Sequence, residues 1–193
     1  MASILLPSWP GPRSATPFQI SFSEQQEAFL GGPDVTILRP GSRMGVAVTL
    51  PPMSDAIARP WITRLLVAES DDVILDWPQP GFGNTVAGSL TVRTSALANS
   101  FALPVAGKSG GSFQEGQFVN VIRNARRYLH IIRDPSDQAN PGIYPALRTA
   151  LSGGEAIDAA TPKIEGTVKG NRREWTVDVA GTVGLSFEVW EAE

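Results

Sequence analysis

The 193-residue sequence contains no cysteine and a single histidine, His130. The first absence excludes disulfides, cysteine-ligated zinc and thiol catalysis, and the second excludes metal sites built from several histidines. Charge is scarce as well, because charged residues make up 18% of the chain, whereas an average soluble domain has about 25%. With a formal net charge of −3, the chain is poorly equipped to bind nucleic acid by neutralising phosphates.

Long apolar runs are also missing. The first seven residues have no basic region and end at Pro7, so they do not predict a signal peptide. The most apolar stretch, residues 57–68, contains Arg59 and Arg64 and does not predict a membrane span. The expected compartment is therefore the cytoplasm, or a particle assembled there.

Turn residues and alternating strands are abundant. Glycine occurs 19 times and proline 16 times, and apolar residues at every second position of 44–50 predict a half-buried strand. Further strands are predicted at 18–22, 35–38, 73–77, 118–122, 128–133, 164–168, 175–179 and 183–190. The large side chains of the last two, predicted to face inward, are Trp175, Val177, Leu185, Phe187 and Val189. This pattern predicts a mainly β protein.

One helix interrupts the strands. Apolar residues recur every three or four positions between Ile57 and Ala68, and Ser54 is a suitable N-cap before them. Pro60 interrupts this pattern, because a proline inside a helix clashes with the preceding turn. Either the helix kinks at Pro60, or it begins at Arg59 with the proline in its first turn.

The glycine-rich middle of the chain is predicted to be an insertion. Residues 1–83 and 163–193 carry the strong strand patterns and are predicted to form one split domain, whereas residues 84–162 are looser and are predicted to form a small β-rich domain. The closing strands need a partner sheet for their large side chains, and the N-terminal strands offer one.

No catalytic or metal-binding motif emerges. The segment Gly107-Lys108-Ser109 lacks the glycine that a phosphate-binding loop needs at position 102, so a flexible loop is expected. The acidic group of Glu69, Asp71, Asp72 and Asp76 lacks EF-hand spacing and is interpreted as a solvated helix end, followed by a strand whose Asp76 faces outward. His130 is predicted to be structural.

Two residue types leave alternatives open. Arg123, Arg126, Arg127 and Arg133 could line a groove for single-stranded nucleic acid, but a solvated hairpin, or a surface that docks an acidic neighbour, is favoured. Most of the five tryptophans are expected in the core or at a subunit interface, although they could also stack on sugars. A carbohydrate-binding β-sandwich is therefore one rival hypothesis. A hydrolase using Asp71 and Asp76 as paired carboxylates is a second.

The order of motifs along nearly the whole chain resembles a known family. The motifs are Leu38-Arg39-Pro40-Gly41-Ser42-Arg43 before the strand at 44–50, Pro51-Pro52-Met53 before the helix, Asp76-Trp77, then Gly116 to Val121, and finally 175–179 and 184–188. This succession is similar to the distal tail proteins at the tail tip of long-tailed bacteriophages and related gene-transfer particles.

The resemblance implies a tail-tube-like split β-barrel flanked by one helix, with a smaller inserted β-barrel. Six copies would form a ring in the virion tail tip, between the tail tube protein above and the hub protein below. DNA would pass through the lumen without specific binding, and the insertion could contact tail fibres. No enzyme activity, cofactor or membrane is implied. Six copies at −3 each carry −18, which fits a lumen that weakly repels DNA.

Two groups of residues are candidates for contacts in such a ring. Glu24, Gln25, Gln26 and Glu27 are predicted to contact the lumen or the next ring, with a plain solvated turn as the alternative. Arg39 and Arg43 flank the turn at Pro40-Gly41 and either stabilise that turn or bridge subunits, of which the structural role is favoured.

Overall fold

The computed structural model describes residues 3–27, 31–32, 35–37, 41–82, 86–179 and 181–192, without the side chains of Gln25 and Thr36. The protein is mainly β with one helix, which confirms the predicted class. In chain order the elements are β1 (Ser3–Leu5), β2 (Ser14–Ile20), β3 (Glu24–Gln26), β4 (Val35–Ile37), β5 (Arg43–Thr49), β6 (Met53–Ser54), α1 (Asp55–Val67), β7 (Asp72–Asp76), β8 (Val86–Val92), β9 (Val105–Gly111), β10 (Phe118–Arg123), β11 (Arg126–Asp134), β12 (Gly142–Tyr144), β13 (Ala156–Asp158), β14 (Lys163–Val168), β15 (Trp175–Val177) and β16 (Thr182–Glu191).

The first sheet combines strands from both ends of the chain. Its order is β1-β7-β14-β16-β5-β2, and β6 and β15 also pair with β16, which makes eight strands. The β1–β7 pair is parallel and the other pairs are antiparallel. The alternation predicted for residues 44–50 is confirmed, since Val46 and Val48 are buried in the core.

The helix packs on this sheet and contains Pro60. It runs from Asp55 to Val67, so the alternative start at Arg59 is wrong. Ser54 is the N-cap residue, in extended conformation, but its side chain makes no capping hydrogen bond. Ala58, Trp61 and Leu65 form the buried face of the helix, and the Trp61 ring lies 6.0 Å from that of Phe187.

The middle of the chain is more regular than its composition indicates. Strands β8 to β13 form a six-stranded sheet in the order β12-β11-β10-β13-β8-β9, over a core that includes Leu103, Phe113, Val119, Ile132 and Ile143. Four of these strands, β8, β9, β12 and β13, escaped the sequence analysis, because their short apolar groups are separated by glycine and proline.

Residues 107–109 lie in strand β9, so the predicted flexible loop is wrong. Gly107 has a φ of +80°, and a Cβ there would lie 2.0 Å from the carbonyl oxygen of Ser89. Gly88, in the paired strand β8, has a similar close approach to the carbonyl of Gly107. These glycines allow two backbones to approach closely, and they do not form a phosphate-binding loop.

Both large sheets are open. The hydrogen-bonded path of the first ends at β1 and β2, and that of the second ends at β12 and β9. Neither closes into a barrel in the described part of the chain, so two sheets and one helix are what the structure confirms. A separate two-stranded sheet, β3–β4, lies between β2 and β5 in the chain. The predicted boundary between residues 83 and 84 lies outside the described residues, and the division into domains stays a prediction.

One predicted face is wrong. Leu185 and Val189 are buried as expected, but Trp175 is 44% exposed and Val177 is 62% exposed. The reason is that β15 lies at the periphery and pairs only with the beginning of β16, where Trp175 faces Leu185 and Val177 faces Val183. In the described part of the chain no second layer packs over β15, so its apolar side chains are accessible to a partner.

Replacing Gly107 by alanine tests the close approach of β8 and β9. We expect Gly107→Ala to lower the free energy of unfolding by about 2 kcal/mol or more, because it adds both a strained φ and a backbone clash. Gly110→Ala is the matched control, since a Cβ at Gly110 would lie 3.9 Å from its nearest neighbour. Urea unfolding measures both variants, and equal losses would contradict this explanation.

Candidate functional site

The buried residues of catalytic type serve as structural contacts. His130 is buried, and its Nδ1 donates a hydrogen bond to the Pro145 carbonyl at 2.8 Å. Burial, aided by the charge of Arg148 and opposed by that hydrogen bond, lowers the pKa of His130 to about 4. The imidazole is therefore neutral at pH 7.

The acidic group after the helix does not behave as one solvated surface. Asp72 is buried and forms an ion pair of 2.8 Å with Arg126, so its predicted solvation is wrong. Asp76 faces outward as predicted and contacts Lys163. In the described part of the chain, no three acidic or histidine side chains come together as metal ligands. No helix there is long and apolar enough to cross a membrane.

Two buried carboxylates join the two large sheets. Strand β12 pairs with β11 only from Ile131 onwards, and among the described strands none pairs with the preceding part of that edge. Glu165, from β14, accepts a hydrogen bond from the backbone N–H of Arg127 at 3.0 Å. Glu191, from β16, accepts one from the N–H of Leu129 at 2.8 Å. The carboxylates thus replace a neighbouring strand along β11.

Glu191 also reaches the other side of the junction. Its second oxygen accepts the N–H of Met44 in β5 at 3.1 Å, and its first forms an ion pair with Arg148. The Arg148 guanidinium lies 5.1 Å from the centre of the Tyr128 ring. Burial raises the pKa of Glu191, while Arg148 and the two N–H donors oppose that shift. Three separate segments are therefore held by one side chain.

Further polar side chains extend the junction. The Asn120 amide donates to the Lys163 carbonyl at 2.8 Å and accepts the Lys163 N–H at 2.5 Å, which imitates strand pairing. Ser3 donates its hydroxyl to Glu165 at 2.5 Å. Three of the four predicted arginines make different contacts. Arg126 and Arg127 form ion pairs with acidic residues of the first sheet, whereas Arg133 lies over Phe101.

The sequence analysis missed Glu165 and Glu191. A signal exists for Glu191, which has the same strand parity as the buried residues Leu185 and Val189. Glu165 lies among buried neighbours on a strand that is covered on both faces. The alternation of residues along β14 does not by itself predict that a second sheet covers the face on which Glu165 lies.

The predicted contact residues lie in or next to the two-stranded sheet β3–β4. We call residues 21–37 the arm, since it contains β3 and β4, which pair with each other. Glu24, Gln26 and Glu27 are exposed, and Gln25 belongs to β3. The Arg43 guanidinium lies 5.2 Å from the centre of the Phe22 ring, at the base of the arm.

The structure describes only part of the predicted turn at Pro40-Gly41. Arg39 and Pro40 are outside the described residues, while Gly41 has a φ of +116°. That left-handed conformation favours glycine over other residues.

A groove opens at the other end of the first sheet. It has a volume of about 250 Å³ and lies between α1 and the β15–β16 pair. Its apolar lining includes Leu65, Leu66, Trp175, Leu185 and Phe187. We call this the helix groove. Lys169, Arg172, Arg173 and Glu174 supply its charged side chains.

No protein-family model matches the chain, and no curated protein matches it significantly.

The Glu191 junction can be tested by removing its charge. We expect Glu191→Gln to destabilise the protein by about 3 kcal/mol, because Arg148 then remains buried without its counterion. Glu174→Gln is the control, since Glu174 forms an exposed ion pair with Arg172. Adding Arg148→Met to Glu191→Gln should recover part of the loss in urea unfolding. A loss no larger than that of the control would refute the role of Glu191.

The stability of the protein should depend on pH through His130. Its pKa of about 4 lies below the ordinary histidine value of 6.5, so the unfolded state binds more protons between these values. Stability should therefore fall by about 3 kcal/mol as the pH drops from 6.5 to 4.

The variant His130→Asn, which keeps a donor for Pro145, should lack this loss. The raised pKa of Glu191 acts in the opposite sense, since it lowers stability as the pH rises through that pKa. That effect is common to both proteins and cancels in their difference. Parallel pH profiles of unfolding would contradict the assignment to His130.

Proposed function

We propose that the protein is a structural component of a phage-type tail tip, where six copies form a ring that joins the tail tube protein to the hub protein. The observation that carries the proposal is an open eight-stranded sheet, with edges at β1 and β2, fixed to a second sheet through buried carboxylates. A ring of copies is one way to use such edges.

Of these two sheet edges, the outer edge of β2 is the stronger candidate for pairing with a neighbouring copy. This strand has seven residues and pairs with β5 along its whole length, so its other side presents backbone groups that can template another strand. Pro17 lies within β2 and supplies no N–H, so pairing at this outer edge would depend on the other N–H groups on that side, such as that of Gln19. Pairing between neighbouring copies would complete the split barrel that the family resemblance implies.

The junction between the two sheets supports a structural role. Because Glu165, Glu191 and Asn120 bind backbone groups across the two sheets, the inserted sheet has a fixed orientation relative to the first. In the proposed ring this sheet lies outside, where tail fibres or neighbouring tail proteins would contact it. DNA would pass through the lumen without specific binding. The proposal includes no enzyme activity, cofactor or membrane contact, and it locates the protein in the virion.

The rival function is a carbohydrate-binding module for recognition of the host surface. Its support is Trp9, which is 67% exposed and lies among Pro7, Pro10 and Pro12. An exposed indole on a stiff segment can stack on a sugar ring. This hypothesis predicts a monomer that binds glycans and loses that binding in Trp9→Ala.

The two hypotheses separate in native mass spectrometry with negative-stain imaging. We expect a discrete six-fold ring at high protein concentration. Gln19→Pro should prevent ring formation without unfolding, because N–H groups alternate along a strand and that of Gln19 points to the same side as the nitrogen of Pro17. Gln19→Ala is the control, since it loses the hydrogen bond to Tyr144 but keeps the N–H. A monomer that binds glycans would replace the ring proposal.

A further inference from the structure

The helix groove has the character of a preformed binding site. Leu65, Leu185 and Phe187 line it, and Trp175 borders it with nearly half of its surface exposed. Leu66, also in the lining, is exposed as well. The exposed indole of Trp175 beside this concave lining is available to pack against another segment.

The shape of the groove is held by one arginine. Arg173 donates from Nη2 to the Val168 carbonyl at 3.0 Å, and from Nη1 to the Lys169 carbonyl at 3.0 Å and the Gly170 carbonyl. These bonds fix the loop between β14 and β15. The groove therefore does not require a partner in order to form, and a ligand would lose little free energy in ordering it.

The charge of the groove is positive. Lys169 lies over the Trp190 ring at 4.3 Å, and the side chain of Arg172 is 86% exposed. Glu174 is the acidic member of the lining and pairs with Arg172 at 3.0 Å. Three cations against one anion favour an acidic segment with an apolar side chain to insert.

The arm has the complementary properties. Residues 21–37 contain Glu24, Glu27 and Asp34 but no lysine or arginine, and the exposed apolar residues of the arm include Phe22 and Val35. Its strands have only three residues each and pair with each other. Because an isolated two-stranded hairpin is marginally stable in water, the arm gains stability when another surface covers it.

The arm and the groove of one chain lie at opposite ends of the first sheet. The arm continues from Ile20 and returns to Arg43, which face each other. The groove lies beside Ser186, which faces Thr49 at the other end of β5. Seven residues of extended strand separate the two sites by about 20 Å, so a contact between them joins two copies.

Resting on the ring proposed above, we infer that the arm of each copy binds the helix groove of the next copy. Such a contact joins two different surfaces, and repeated contacts of this kind close into a ring when the rotation between copies allows it. The apolar side chains of the arm would insert beside Trp175, and its carboxylates would face Lys169 and Arg172.

Disulfide trapping tests this contact directly, because the chain has no cysteine of its own. The double variant Gln26→Cys with Leu66→Cys places one thiol on the arm and one at the groove, both at exposed positions. Under mild oxidation we expect a ladder of covalent oligomers that ends at the ring. The two single variants are the controls and should give no ladder.

Each outcome separates this inference from the ring itself. A ring in native mass spectrometry without a ladder would overturn the arm–groove contact and leave the ring standing. Neither ring nor ladder would overturn both. A ladder without a discrete ring would support the contact and overturn the closed hexamer. A fast-migrating, internally cross-linked monomer would show the arm in its own groove and refute the contact between copies.

A charge exchange gives an independent measurement. We expect Glu27→Lys alone, or Arg172→Glu alone, to raise the concentration needed for half-maximal assembly by about tenfold, since like charges then meet across the contact. The double variant should restore assembly. Unfolding in urea should be unchanged, because both side chains are exposed. Assembly that is equally weak in the double variant would count against the pairing.

Discussion

The structure depends on two carboxylates that occupy the place of a strand. Burying Glu165 and Glu191 is costly in free energy, and so is leaving the N–H groups of Arg127 and Leu129 without acceptors. Each carboxylate accepts a hydrogen bond from one of these N–H groups, and that bond offsets both costs. A hydrophobic contact between the two sheets would permit sliding, whereas these hydrogen bonds specify one register.

The same junction explains how one protein can present distinct surfaces in a fixed arrangement. Arm, open edge, helix groove and inserted sheet belong to different parts of the chain, yet β5, β11, β14 and β16 are all bonded through the junction. In the proposed ring, such constancy matters more than reactive groups. The burial of His130 and the pairing of Asp72 with Arg126 fit such a design.

The coarse fold was predictable because alternation reports burial directly. The strand at 44–50 and the helix around Trp61 follow from the spacing of apolar residues. What escaped depends on partners distant in sequence. Trp175 and Val177 form an apolar pattern that no second layer covers. The junction escaped for the same reason, because Glu165 resembles a surface residue until the inserted sheet is packed over it.

The order of strands in the first sheet has a consequence for synthesis. Strands β14 and β16 lie between β7 and β5 in the sheet. The pair formed by β1 and β7 is therefore separate from the pair formed by β2 and β5 until residues 163–191 have left the ribosome. The helix groove, one wall of which comes from β15 and β16, cannot exist earlier. In the proposed ring, a nascent chain could therefore offer an arm before it could receive one, so mutual recognition between copies would wait until this region has been translated.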